Sequence, residues 1–323
     1  MVPNQALYQT EPHPVFFSAV WIIPQDSGFV KTFLKIELLF LEECGILNTE
    51  GIMKYDDTYL RSYGIEYSGV VPFDICDVIN ERKYCALKKR FDPRSVIVFL
   101  VPYYTGEERR NISKYAISRD YHLFMRELFG RACPALSEKY GALFCGYADS
   151  APINEVKAAA YAGLGMRGDN GMLINKTYGS YVFIGAIYTD AVFEYGGDKT
   201  SNCPHCGRCR AACPMKDGRE CLSAVTQKKG ELTDEETAYI RQYGSAWGCD
   251  ICGDVCPFSA AAVKNNKTTP IGFFYEDRTP FLTRETLDGM TETRFSERAY
   301  AWRGKAVIER NIALLESGDS AER

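Results

Sequence analysis

The fold of this chain is decided by the stretch Cys203-Pro-His-Cys206-Gly-Arg-Cys209-Arg-Ala-Ala-Cys213-Pro214. Its C-x-x-C-x-x-C-x-x-x-C-P spacing is that of bacterial ferredoxins, in which three thiolates hold one iron–sulfur cluster and the fourth reaches a second cluster. The short gaps let successive sulfur atoms converge on one cluster, and the proline turns the chain away afterwards. The stretch therefore predicts a protein that moves single electrons.

A second cysteine run lies further along the chain and reads Cys249-Asp-Ile-Cys252-Gly-Asp-Val-Cys256-Pro257. It lacks one cysteine of the full ferredoxin pattern, and Cys221, between the two runs, is the available substitute. Eight thiolates then make two 4Fe-4S clusters. One cluster is predicted to be held by Cys203, Cys206, Cys209 and Cys256, and the other by Cys213, Cys221, Cys249 and Cys252.

Structural zinc and disulfides are the alternatives for such cysteines. Zinc sites use C-x-x-C pairs with a longer spacer, not three cysteines in seven residues followed by Cys-Pro. Disulfide frameworks suit small secreted chains, whereas this chain has 323 residues and no visible export signal. The other five of its thirteen cysteines show no pairing pattern, which fits a reducing cytoplasm; they are Cys44, Cys76, Cys85, Cys133 and Cys145.

Length and composition bound the remaining possibilities. The cluster motifs fill about a sixth of the 323 residues, which leaves room for one large domain beside a smaller one. The net charge of −4 gives no global basic signature for nucleic acid, so any such contact has to come from a local patch. The sequence contains three histidines, too few for a histidine-rich metal site.

Hydrophobic patterns predict alternating strands and helices from residue 95 onward, typical of an α/β domain. Ser95–Val101 is apolar and rich in β-branched residues, which indicates a buried strand. Tyr121–Tyr140 has helical spacing, although Pro134 is expected to kink or end the helix. The other predicted elements are strands at Ala142–Ala148, Met172–Asn175 and Tyr181–Thr189, and helices at Ile153–Ala162 and Arg303–Leu315.

Residues 1–52 differ in pattern from the rest of the chain. Val15–Ile23 is apolar but too short to span a bilayer, and it lacks the flanks of a signal peptide. Phe29–Leu47 has helical spacing. Because Met53 opens a stretch that looks like a natural start, our hypothesis is that residues 1–52 are an extension that the cell does not translate.

Motifs on both sides of the cysteines carry a resemblance to a known family. They are Ile112-Ser-Lys-Tyr-Ala-Ile-Ser-Arg-Asp-Tyr-His122, Asp149-Ser-Ala-Pro152, Ala162-Gly-Leu-Gly165, Tyr178-Gly-Ser180, Cys221-Leu-Ser-Ala-Val-Thr-Gln-Lys-Lys-Gly230, Gly248-Cys-Asp-Ile-Cys252, Trp302-Arg-Gly-Lys305 and Arg310-Asn311. In this order, over about residues 55–315, they resemble the epoxyqueuosine reductases, cobalamin-dependent enzymes of tRNA modification. The chain is similar to a short form of the family that lacks its C-terminal helical repeats.

The resemblance implies an α+β fold. Residues 53–195 would form an α/β, nitroreductase-like cobalamin domain, residues 196–265 an inserted two-cluster ferredoxin-like domain, and residues 266–323 a C-terminal helical segment. It also implies that electrons from an external donor, such as a flavodoxin or ferredoxin, pass through the clusters to cobalamin, which has no lower protein ligand. Epoxyqueuosine in the anticodon loop of tRNA would become queuosine and water. We expect a cytoplasmic monomer that needs no membrane.

The resemblance assigns the proton donor to Asp149. Reducing an epoxide to an alkene needs electrons from a cofactor and a general acid for the departing oxygen. Asp149 follows a predicted strand and precedes a helix, where α/β proteins present ligands. The alternative is that Asp149 or Ser150 caps that helix, with Pro152 in its first turn. To donate near neutral pH, the carboxyl needs a pKa raised by desolvation.

Cobalamin contacts are also implied by the resemblance. They are Arg90, Ser113, Leu173 and Ile184 on the large domain, and Gln227 and Asp250 on the cluster side. Leu173 and Ile184 also fit ordinary strand core, and Arg90 also fits a surface charge. The segment Asp120-Tyr-His122 nearly matches the D-x-H-x-x-G motif of a lower cobalamin ligand. We reject it, because Met125 stands at the glycine position and the segment has helical spacing.

The sequence departs from the family pattern in places. Asp169 stands where a lysine is common, the gap between Cys213 and Cys221 is short, and no basic run is evident beyond residues 82–94. Two alternative functions therefore accompany epoxyqueuosine reduction. One is cobalamin-dependent reduction of a small molecule, as in reductive dehalogenases. The other is a ferredoxin-type electron carrier, which would give the large domain no task.

Overall fold

The computed structural model describes residues 51–196, 202–215 and 220–318. The expected extension, with its helix at Phe29–Leu47, lies outside the described residues except for residues 51 and 52. The strands are β1 Tyr67–Pro72, β2 Ser95–Pro102, β3 Phe144–Ala148, β4 Met166–Arg167, β5 Leu173–Ile174 and β6 Val182–Thr189. The helices are α1 Thr58–Arg61, α2 Glu81–Lys88, α3 Tyr121–Tyr140, α4 Glu155–Tyr161, α5 Arg208–Ala212, α6 Leu222–Thr226, α7 Asp234–Tyr243, α8 Ile251–Asp254, α9 Pro257–Lys264, α10 Arg284–Asp288, α11 Glu292–Ser296 and α12 Lys305–Gly318.

Strands β1, β2, β6 and β3 pair in that order into one sheet, and every pairing between them is antiparallel. The core strand β2 is buried at each of its eight positions. Since side chains alternate between the two faces of a strand, β2 supplies two cores at once. Ile97, Phe99 and Val101 face the core under α3, and Val96, Val98 and Leu100 face the core under α4. The continuous apolar run thus reflects helices on both faces of an antiparallel sheet.

Most predicted elements of the large domain are confirmed within a few residues. The strand predicted at Ser95–Val101 is β2, and helix α3 has the predicted bounds. Pro134 lies inside α3, so the expectation that it could end this helix is wrong. The helix predicted at Ile153–Ala162 is shorter and begins at Glu155. Among the described residues, no helix combines the length and apolarity needed to cross a bilayer.

Backbone hydrogen bonds join residues 111–113, which follow β2, to residues 246–247, which precede Cys249. The N–H of Ser113 donates to the carbonyl of Trp247 at 2.7 Å, and the N–H of Ala246 donates to the carbonyl of Asn111 at 2.7 Å. Trp247 is fully buried, and its indole nitrogen donates to the hydroxyl of Tyr115 at 2.8 Å. The motif at residues 111–115 therefore packs directly on the chain that precedes Cys249.

The Arg310-Asn311 motif of α12 binds backbone carbonyls in the chain from the end of α6 to Cys249. The buried Asn311 amide donates to the carbonyls of Thr226 at 2.7 Å and Ala246 at 2.9 Å. The Arg310 guanidinium donates to the carbonyl of Lys228 at 2.8 Å and to that of Gly230. Since these bonds satisfy backbone carbonyls in loops, they fix the turn that contains Gln227.

Gly179 packs closely against α9, the helix that follows Cys256. A Cβ at Gly179 would lie 2.4 Å from the Cα of Ser259, and the backbone φ of Gly179 is +60°. The hydroxyls of Ser180 and Ser259 are 3.0 Å apart. Only glycine combines this left-handed conformation with the available space.

We therefore expect Gly179→Ala to destabilise the protein by about 2–4 kcal/mol, because it adds a clash with backbone to left-handed strain. The matched control is Gly141→Ala, where φ is +63° and nothing lies within 4 Å of the added Cβ. That variant should lose only about 1–2 kcal/mol. Denaturant unfolding of both proteins measures the difference. Equal losses would show that α9 does not pack tightly against Gly179.

Candidate active site

Four of the predicted cluster ligands line one cavity. Its walls include Cys203, Cys206, Cys209 and Cys256. Helix α5 begins just before Cys209, and Cys256 is the N-cap of α9, with Pro257 at the first helical position. Helix starts carry unpaired N–H groups and a partial positive charge, which favours thiolates there. Chain segments that are distant in sequence therefore bring four sulfur atoms to one space.

The other four predicted ligands also lie together. Cys213, Cys221, Cys249 and Cys252 are close enough that neighbouring thiols, after burial, contribute to raising the pKa of the last three. In the part of the chain that the structure describes, all twelve cysteines are free thiols. The assignment of each thiol to one of two clusters remains a prediction.

Asp169, which departs from the family pattern, contacts the loop of the first group. Its carboxylate lies 2.8 Å from Nδ1 of His205, and the His205 side chain is mostly exposed. Ligand atoms of Asp169, Cys203 and His205 lie within 4.8 Å of one another. Because Cys203 also lines the cavity of four thiols, Asp169 and His205 belong to the same site as those thiols.

Asp149 occupies a strained turn directly after β3. Its φ is +63°, and the N–H of Ser150 donates to the carbonyl of Ala148 at 2.7 Å, so one residue reverses the chain. Such a turn with positive φ is rare and strained, and strain of this kind is concentrated at functional sites. Helix α4 is capped instead by the side chain of Asn154, which accepts from the N–H of Lys157. The interpretation of Asp149 or Ser150 as the helix cap is therefore wrong.

The carboxyl of Asp149 has an environment suited to proton donation. Its side chain is 36% exposed, so solvent or a ligand can reach it. Burial of the remainder raises its pKa above the ordinary value, while a hydrogen bond from Tyr121 and the nearby His122 oppose that rise. The N–H of Asp149 donates to the carboxyl of Glu155, and burial together with the Asp149 charge raises the pKa of Glu155 well above its ordinary value. The buried Oε1 of Glu155 has no hydrogen-bond partner among the described residues.

His122 and Asp120 belong to this site although the sequence does not predict them there. The predicted helical structure of this segment is confirmed, since Asp120 is the N-cap of α3. That first helical turn nevertheless lies beside Asp149, with His122 Nε2 at 3.9 Å from the Asp149 carboxylate. The sequence carries no signal for this proximity, because it depends on how α3 packs across the sheet.

Two predicted cobalamin contacts, Ser113 and Asp250, meet each other. The Ser113 hydroxyl donates to Asp250 at 2.5 Å, and the N–H of Lys114 donates to the same carboxylate at 2.8 Å. Burial raises the pKa of Asp250, although the guanidinium of Arg110, 3.5 Å away, opposes the shift. Arg110 also pairs with Asp254 at 2.9 Å. The group lines a polar cavity beside Cys249.

The other four predicted cobalamin contacts differ from one another in burial and in bonding partners. Gln227 is buried, and its Oε1 has no hydrogen-bond partner among the described residues. Leu173 is 3% exposed within the core under α4, which fits its alternative interpretation as strand core. Ile184 is only partly buried at the margin of the same core. Arg90 directs a guanidinium nitrogen to 2.8 Å from the thiol of Cys145.

The sequence of this chain is similar to those of known proteins. Residues 90–150 match the family model described as "Epoxyqueuosine reductase QueG, DUF1730". The epoxyqueuosine reductase of Cyclobacterium marinum is 30% identical over 255 residues, which cover 71% of this chain and 80% of that protein. The enzyme of Leadbetterella byssophila is 34% identical over 255 residues, or 71% of this chain and 81% of that protein.

Solved structures show the same fold. The epoxyqueuosine reductase of Streptococcus thermophilus superposes with a TM-score of 0.66 at 22% identity, over 81% of this chain and 80% of that chain. An epoxyqueuosine reductase crystallised with an epoxyqueuosine-modified tRNA-Tyr stem loop gives 0.64 at 23% identity, over 89% and 82% of the two chains. The sequence relatives establish that the chain belongs to the epoxyqueuosine reductases, a family of oxidoreductases.

Proposed function

We propose that this chain reduces epoxyqueuosine to queuosine at the wobble position of tRNA, with Asp149 as the proton donor. The observation that carries the proposal is the partly exposed Asp149 carboxyl, held in a strained turn with a raised pKa. Membership of the family supports the substrate class, and a relative has been crystallised with a modified tRNA stem loop.

Iron–sulfur clusters fit the two groups of thiols. Four thiol residues face one cavity, and the other four predicted ligands neighbour one another nearby. Thiolates in groups of four are the ligands of 4Fe-4S clusters, which supply electrons at low potential when bound. In this proposal Cys203, Cys206, Cys209 and Cys256 hold one cluster, and Cys213, Cys221, Cys249 and Cys252 hold the other. An external donor such as a flavodoxin or ferredoxin would deliver the electrons.

Only some of the predicted cobalamin contacts have surroundings that suit a corrin. A corrin needs aliphatic contacts and partners for its peripheral amides. The partly buried Ile184 offers the first, and the buried Gln227 oxygen, which has no partner among the described residues, offers the second. Ser113 and Asp250 bond to each other, so they would act together rather than singly. Arg90 and Leu173 remain predicted contacts. When bound, cobalamin would supply the reducing metal centre that side chains lack.

The chain's own residues supply the proton. Burial keeps the Asp149 carboxyl protonated to higher pH than an ordinary aspartate, and its exposed edge leaves the acidic hydrogen accessible. As the carbon–oxygen bond breaks, the oxygen needs that hydrogen because a bare alkoxide is a poor leaving group. The hydrogen bond from Tyr121 helps to hold the carboxyl in place before substrate binds. We further propose the boundaries 53–195, 196–265 and 266–323 for the three structural parts.

Conversion of a modified tRNA tests the function directly. Anaerobically reconstituted protein, given a strong reductant and an anticodon stem loop with epoxyqueuosine, should yield queuosine, seen by mass spectrometry as loss of one oxygen. The gene should also restore queuosine in a strain that lacks its own reductase. If the protein carries its cofactors yet leaves epoxyqueuosine unchanged in both assays, reduction of a small molecule becomes the better interpretation.

A further inference from the structure

The proposed reaction needs more protons than Asp149 holds. An epoxide becomes an alkene and water when two electrons and two protons are added, and both protons end on the departing oxygen. A carboxylic acid carries one proton, so within each turnover Asp149 must be recharged or helped by a second donor. The identity of the group behind Asp149 therefore matters, on the condition that the proposed function holds.

His122 stands between Asp149 and a second carboxylate. Its Nδ1 lies 2.8 Å from Oδ1 of Asp120, and its Nε2 lies 3.9 Å from Oδ2 of Asp149. The bond to Asp120 fixes a proton on Nδ1 and directs Nε2 toward Asp149, the same logic by which a carboxylate orients histidine in hydrolase triads. Since 3.9 Å exceeds a direct hydrogen bond, the contact has to tighten or include a water when substrate binds.

The charges around His122 favour its protonated form. Asp120 and Arg126 face it from its own helix, and Asp149 faces it from the turn after β3. Burial lowers the pKa of His122, but the hydrogen bond to Asp120 and the two carboxylate charges outweigh burial and raise the pKa above its ordinary value. The ring packs at a tilt against Tyr121, with 4.2 Å between the ring centroids, and the side chain stays 38% exposed. An imidazolium there can exchange protons with solvent.

We propose that His122, oriented by Asp120, relays protons from solvent to Asp149 so that one carboxyl serves both protonations. Asp149 first gives its hydrogen to the epoxide oxygen as the first carbon–oxygen bond opens. The proton on His122 Nε2 then passes to the Asp149 carboxylate, which gives it to the same oxygen as the second carbon–oxygen bond breaks and water leaves. The two electrons come from the low-potential cofactors of the proposed function. His122 finally takes up a proton from solvent.

Histidine titration by NMR tests the relay without any turnover. The sequence contains three histidines, so the His122 signal is identified by its loss in His122→Asn. In substrate-free protein we expect the pKa of His122 to lie above the ordinary histidine value, and to be lower in Asp120→Asn and in Asp149→Asn than in the wild-type protein. Asparagine still caps a helix, so Asp120→Asn removes the charge and keeps the start of α3. A His122 pKa that neither variant moves would overturn the relay.

Steady-state kinetics provide a second test of the proton relay. His122→Asn should lower kcat about 10²-fold with KM for the stem loop unchanged, and added imidazole should restore part of the loss. Asp149→Asn should show no such rescue. Wild-type kcat in His122→Asn, or a loss that appears only in KM, would contradict the relay. If the wild-type protein reduces no epoxyqueuosine, the proposed function fails, while the NMR titration still decides whether the three groups are coupled.

Discussion

Replacement of Asp149 by asparagine should lower kcat for epoxyqueuosine reduction by about 10²–10⁴-fold, the usual contribution of a general acid. That loss corresponds to about 3–5 kcal/mol of transition-state stabilisation. Asparagine keeps the size and tolerates a positive φ, so the turn after β3 should survive. Iron content and the corrin absorption band should stay at wild-type levels, which would separate lost chemistry from lost folding. Undiminished turnover would remove Asp149 from the reaction.

The dependence of kcat on pH should also identify Asp149 as the proton donor. Asp149 acts while protonated, so kcat should fall as the pH rises through its pKa, and burial places that fall above the pH expected for an exposed aspartate. Tyr121 donates a hydrogen bond that lowers this pKa, so Tyr121→Phe should move the fall to higher pH. Phenylalanine preserves the stacking of this ring on Phe183 at 3.8 Å. A profile of kcat against pH for the two proteins measures the shift.

Features that depend on local spacing are predictable from the sequence. Cysteines three residues apart in sequence lie close together, so the sequence predicts that Cys203, Cys206 and Cys209 line one space. The alternating apolar cores also explain why the predicted β2 and α3 lie within a residue of their observed bounds. Asp149 can be placed between a strand and a helix for the same reason.

Long-range packing sets the limits of prediction. The strand order β1-β2-β6-β3 is antiparallel throughout, so Asp149 is not presented at the carboxyl edge of a parallel sheet. Its exposure instead comes from a γ-like turn with positive φ, which its own sequence does not announce. His122 reaches it because α3 crosses one face of the sheet, and Ser113 reaches Asp250 through pairing between residues far apart in sequence. Such contacts depend on the whole fold and have no spacing signature.

Cys256→Ser should remove one whole cluster, because a serine oxygen is a poor replacement for a thiolate. Cys256 comes from the second cysteine run, yet it lines the cavity of Cys203, Cys206 and Cys209. The variant should therefore lose the cluster of the first run and retain the other. Iron and sulfide should fall from roughly eight to roughly four atoms of each per chain, and turnover should be lost. Iron and sulfide analysis with EPR of the reduced protein measures the change.

Cys85→Ser is the matched control, since Cys85 is an exposed free thiol on α2 and is not one of the eight predicted ligands. It should keep full iron content and activity, because an exposed thiol outside the eight predicted ligands is not expected to hold iron. The variant also tests which cluster Cys256 holds. If Cys256 instead shared a cluster with Cys249 and Cys252 of its own run, Cys256→Ser would remove the EPR signal of that cluster and keep the signal of the cluster held by Cys203, Cys206 and Cys209. Zinc in place of iron in the wild-type protein, or an unchanged iron content in Cys256→Ser, would contradict the assignment. Since electrons from these clusters are the proposed source of reduction, a protein that keeps turnover with only the second cluster would also show that the first lies off the electron path.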